Sequence, residues 1–143
     1  MDSLIVEGTP TTAAISYNIQ AKRYTLSGKS MHEDAMHFYQ PIMNWMDRFE
    51  EWILERFNNH FIQEKHTFVF DLDYYNSTAG KYIYQIIEKI DKIYVEIDNN
   101  HNKSHSQVEI EIKWLFGEDD EFMQEAGEEM QDITELDIQV SRR

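Results

Sequence analysis

The 143-residue sequence contains no cysteine. Disulfides, thiolate metal sites and a cysteine nucleophile are therefore excluded, while the cellular compartment stays open. Basic residues are scarce: 13 Lys and Arg stand against 27 Asp and Glu, a formal net charge of -14. Nucleic acid and anionic membranes need a basic face on their partners, and the sequence offers none. A basic protein partner is compatible with this charge, as is plain solubility. No apolar run approaches the ~20 residues needed to cross a bilayer. The opening stretch MDSLIVEGTPTT has neither a basic n-region nor a long apolar segment, so it does not read as a signal peptide. The expectation is a soluble cytoplasmic protein with no membrane insertion. Internal repeats and long low-complexity segments are also missing.

What is present is the composition of a folded domain, with 41% hydrophobic and 13% aromatic residues. The length predicts one domain over residues 1–143. SLIVEG, AAISYN and KRYTLSG read as short strands, with turn-like residues at NIQA and at Gly28, predicting an N-terminal β-hairpin or meander. Over residues 33–57, Ala35, Phe38, Tyr39, Ile42, Met46, Phe49, Ile53 and Phe57 recur at helical steps. Met43, Trp45 and Trp52 broaden that apolar face, and Pro41 predicts a kink or the first turn of the helix's main part. HTFVFDLDYY alternates as a strand, with Phe68, Phe70, Leu72 and Tyr74 on one face and Val69, Asp71 and Asp73 on the other. From Ser77 to about Ile97 the isoleucines keep helical spacing straight through the strand-like IYVEI, predicting one long helix. A polar loop over residues 98–107, a strand in QVEIEIKWLF, an acidic helix and a closing strand in LDIQV complete the chain. The alternation predicts an α/β fold: a mixed β-sheet packed with about three helices.

Several motifs tempt without closing. Both Gly-Lys pairs, at Gly28 and Gly80, lack the glycine five residues upstream that a phosphate-cradling loop needs; Arg23 and Tyr75 stand there. FVFDLDYY is similar to the first motif of haloacid-dehalogenase-type phosphotransferases, in which one of Asp71 and Asp73 would be the nucleophile and the other an acid/base. Tyr75 replaces the usual hydroxyl residue, and no downstream lysine and acidic metal motif is evident. His101 and His105 share a spacing that chelates metal on a helix, but their neighbours predict a loop, and no third ligand is apparent. The acidic run from Glu118 to Asp132 lacks the ligand pattern of a calcium loop. Neither a metal nor a cofactor is expected.

The junction NSTAGK carries more. Asn76, Ser77 or Thr78 can each cap the following helix by accepting a hydrogen bond from an orphan amide. A phosphate at such a junction adds about −1.5 to −2 charges beside amides that tolerate it. Lys81 lies one turn on and can pair with it, whereas Asp73 opposes it. Capping and switching are not exclusive roles.

Four segments taken together resemble a known family: IVEGTPTTAAI, LSGKSMHEDAMHFYQPIMNWM, FDLDYYNSTAGKY and IKWLFGEDDEFMQEAGEEM. Their order and spacing, over nearly the whole chain, are similar to the SiaC-type regulatory phosphoproteins. The resemblance implies a STAS-like fold and a non-catalytic role in partner switching. In that scheme the unphosphorylated protein binds and activates a diguanylate cyclase, raising cyclic-di-GMP. A Ser/Thr protein kinase switches it off and a PP2C-type phosphatase restores it. The family's phosphoacceptor directly follows the junction asparagine, which places it at Ser77, with Thr78 as the second candidate. Asn76, Ser77, Thr78 and Lys81 are then the expected partner-binding residues. The rival readings are a small phosphotransferase using Asp71 and Asp73, and an acidic adaptor without phosphoregulation.

Overall fold

The computed structural model describes residues 1–143. Strands β1 (Leu4–Val6), β2 (Ala14–Asn18) and β3 (Arg23–Ser30) form an antiparallel meander. Three β-α-β units then follow, through α1 (Ala35–Asn59), β4 (Gln63–Tyr75), α2 (Ser77–Asn99), β5 (Gln107–Phe116), α3 (Glu121–Asp132) and β6 (Ile138–Arg142). The six strands lie side by side in sequence order, and β3 to β6 are parallel. Because each crossover steps in the same direction, right-handed connections put all three helices on one face of the sheet. Burial along β5 agrees: Val108, Ile110, Ile112, Trp114 and Phe116 are buried, while Gln107 and Glu109 are exposed.

One core of 32 buried residues joins the helices to that face. Its centre is aromatic: Tyr17, Tyr24, Trp45, Phe49 and Phe68 meet edge-on or tilted, except that Trp45 and Phe49 stack. The helices form where the periodicity predicts them. Ile83, Ile86, Ile87, Ile90, Ile93 and Ile97 are the buried stripe of α2, so burial of a helical face overrides the strand preference of IYVEI. In α1, Trp45 is fully buried and Phe38, expected in the stripe, is only partly so; the helix runs unbroken through Pro41.

Two expectations need correction, and they share a cause. Gly28 is not a turn: it lies inside β3, where the register with β4 slips. Gly28 pairs with Leu72, but Lys29 pairs with Tyr74, leaving Asp73 as an extra residue on β4. Gly28 has φ +90, a conformation open to a residue without a Cβ. The bulge resets the alternation of β4. Phe68, Phe70 and Leu72 face the core, but Tyr74 turns out to solvent and Tyr75 packs edge-on to Trp114 in its place. Val69, on the opposite face, is nonetheless buried.

Candidate functional site

The bulge delivers β4 into the junction that opens α2. Asn76 is the cap: its Oδ1 accepts the Ala79 amide at 2.9 Å, and its backbone is extended. The Asn76 amide donates to Ser30 O at 3.1 Å, and its carbonyl accepts the Gly80 amide at 2.9 Å. Its Nδ2 also reaches His32 O at 3.4 Å, tying the β3–α1 loop to the start of α2. Ala79, one turn in, is fully buried. Gly80 lets the Tyr75 ring lie against the helix, since a Cβ there would sit 3.0 Å from the ring.

Capping was expected of any of three side chains, and the structure gives it to Asn76 alone. Ser77 and Thr78 are the first two helical residues, and both are exposed. Their position is therefore at the positive end of a 23-residue helix whose first turn contains no acidic side chain. Lys81 is exposed one turn further along.

Around this junction, at the carboxyl ends of the parallel strands, large apolar side chains stand in solvent. Met31 follows β3, Met36 lies in the first turn of α1, Tyr74 is the last residue but one of β4, and Phe122 lies in the first turn of α3 with its ring 6.0 Å from Tyr75. Sequence reasoning passed over all four. Met36 and Phe122 lie inside helices, and simple alternation sets Tyr74 on the face of Phe68, Phe70 and Leu72. The available signal was topological, because loops at the carboxyl ends of parallel strands are where such folds build sites.

Asp71 and Asp73 are engaged within the chain. Arg143 Nε donates to Asp71 Oδ1 at 2.5 Å, and Nη2 lies 3.0 Å from Asp73 Oδ1 and 3.3 Å from Leu72 O. The hydrogen bond to Asp71 raises the Arg143 pKa above its ordinary value, against a smaller opposing effect of burial. His101 sits edge-on to Phe57, and no three His, Cys, Asp or Glu side chains are grouped to hold a metal ion. No helix is long and apolar enough to cross a membrane.

A mixed sheet with its three helices on one face, and a capped junction with exposed hydroxyls at the end of a central strand, defines the class as an α/β domain. The chain belongs to the SiaC family of regulatory phosphoproteins, which it matches over residues 6–143. Its fold is that of apo-SiaC from Pseudomonas aeruginosa, with a TM-score of 0.73 and 20% identity over 99% of both chains. A chain in the complex of the diguanylate cyclase SiaD with its activator SiaC, from the same organism, is equally similar. There the TM-score is 0.74 and the identity 19%, covering 98% of this chain and 99% of that one. No curated protein matches the sequence.

Proposed function

We propose that this chain is a cytoplasmic, non-catalytic switch protein controlled by phosphorylation of Ser77. In its unphosphorylated form it binds and activates a diguanylate cyclase. A Ser/Thr kinase adds the phosphate and ends that binding, and a PP2C-type phosphatase removes it. The observation that carries this reading is the division of labour at the junction. Asn76 does the capping, so the exposed Ser77 hydroxyl is free to be modified without unravelling α2. Thr78, next along and also exposed, is the second candidate.

A phosphate on Ser77 adds about −1.5 to −2 charges at a helix start, where free amides and Lys81 tolerate them. Its effect then falls on whatever docks over Met31, Met36, Tyr74 and Phe122. A partner burying that apolar surface would have to desolvate a dianion in its midst. The partner class is supported by the related chain bound to the cyclase SiaD. The phosphotransferase reading is disfavoured because its nucleophile and acid/base would both be held by Arg143.

The test is to phosphorylate the protein with its cognate kinase, map the site, and compare cyclase binding before and after. Phosphate on Ser77 with loss of binding supports the reading. Undiminished labelling of Ser77→Ala overturns the site, and magnesium-dependent phosphoester turnover lost in Asp71→Asn would favour the rival.

A further inference from the structure

Strand β5 is longer than the strand beside it. On one side it pairs with β4 from Gln107 to Trp114, but on the other β6 meets it only from Ile112 to Phe116. The first half of β5, residues 107–111, therefore has an edge without a partner strand. Alternate residues of a strand direct their amide and carbonyl to opposite edges, so this half-strand offers unpaired backbone donors and acceptors on that side.

A groove of about 310 Å³ runs along this edge. Val108, Glu109, Ile110 and Glu111 all line it. Four consecutive residues cannot line a groove on a sheet face, because successive side chains point to opposite sides; they can only line one that follows the edge. Tyr94 and Ile97 of α2 make the apolar wall, with Leu136 at the β6 end. The rim carries three exposed acids, Asp98, Glu109 and Asp137, beside one exposed histidine, His101. None of these three enters a salt bridge of the chain. Glu111 is different, already held by Lys65, Thr67 and Gln139.

We propose that this edge is a peptide-docking site, taking a short extended segment of a partner protein in line with β6, with apolar residues alternating with lysine or arginine. Main-chain hydrogen bonds to the free half of β5 would hold the segment. Its apolar side chains would face Tyr94, Ile97 and Leu136, and its basic ones the rim. A second copy of this chain is the poorer occupant, since pairing the same edges would set Glu109 and Glu111 against their own kind. The site lies at the amino end of β5, and Ser77 follows the carboxyl end of the parallel strand β4. The two surfaces are therefore at opposite ends of the sheet, and docking here does not depend on the phosphorylation reading.

The experiment follows backbone amide shifts of the full chain during titration with a blocked five-residue peptide of alternating valine and lysine. A valine–glutamate peptide of the same length is the control. Saturable shifts are expected within residues 107–111 and around Leu136, with none at Ser77 to Lys81. The control should bind at least about tenfold more weakly. The double variant Glu109→Lys, Asp137→Lys, with its melting temperature checked, should reverse that preference. Absent shifts, shifts spread over all acidic surfaces, or equal binding of both peptides to the native chain would overturn the proposal. Concentration-dependent broadening of the same amides in the protein alone would assign the edge to a second copy and also overturn it.

Discussion

Asn76 caps α2 and its neighbour Ser77 does not, and single substitutions separate the two. Asn76→Ala removes the side-chain acceptor of the Ala79 amide and the tie to His32. It should cost about 1 kcal/mol of stability, read as a lower urea midpoint with unchanged m-value. Ser77→Ala touches an exposed side chain that caps nothing and should stay within about 0.5 kcal/mol of the parent. A second residue-scale effect concerns pH. His66 is fully buried on β4; its Nδ1 meets Tyr24 Oη at 2.7 Å and its Nε2 meets Glu64 Oε2 at 2.9 Å. Burial lowers its pKa below the ordinary 6.5, and the contact with Glu64 only partly opposes this. Below pH 6.5 the unfolded chain therefore binds a proton that the folded chain resists, so stability must fall as the pH drops through that value. Glu64, whose own pKa is lowered by His66 and Arg56 despite the opposing effect of burial, extends the loss below the ordinary carboxylate range. Urea midpoints measured from pH 8 to 5 should decline, and the His66→Gln variant should flatten the part of that slope nearest 6.5.

Among the elements, the regular ones were legible and the irregular one was not. Helical spacing of isoleucine located α2 despite its β-branched residues, and strict alternation located β5. The bulge in β4 escaped, because an inserted residue leaves no mark on a pattern until the partner strand is known. Its trace in the sequence was Gly28, on the neighbouring strand, which reads equally well as a turn. The slip decides which tyrosine supports the junction. Tyr75→Ala empties the space between Trp114 and Gly80 and should cost roughly 1–3 kcal/mol. Tyr74→Ala, on the exposed side of the bulge, should change stability little. The reverse ranking in thermal or urea unfolding would mean that β4 keeps its simple alternation.

At the scale of the whole molecule, alternation of strands and helices was enough to predict a mixed sheet with three helices. Sequence order of the strands, and hence the placing of all helices on one face, emerged only from the pairing. The candidate site was legible in part for the same reason. NSTAGK marks a helix start by its residue types, but Met31, Met36 and Phe122 approach it only through the topology that gathers the carboxyl ends of β3, β4 and β5. Arg143 reaches Asp71 and Asp73 across 70 residues and more, which no local pattern encodes. Charge also acts at this scale. On a chain of net charge -14, one phosphate changes the overall field little. In the proposed switch a phosphate on Ser77 would therefore act locally, at the surface around that residue. The most direct measurement is cyclic-di-GMP formation by the cognate diguanylate cyclase, titrated with the unphosphorylated chain and with the chain quantitatively phosphorylated on Ser77. Stimulation by the first, none by the second, and full stimulation by kinase-treated Ser77→Ala are predicted. Equal stimulation by the phosphorylated and unphosphorylated forms would contradict the account.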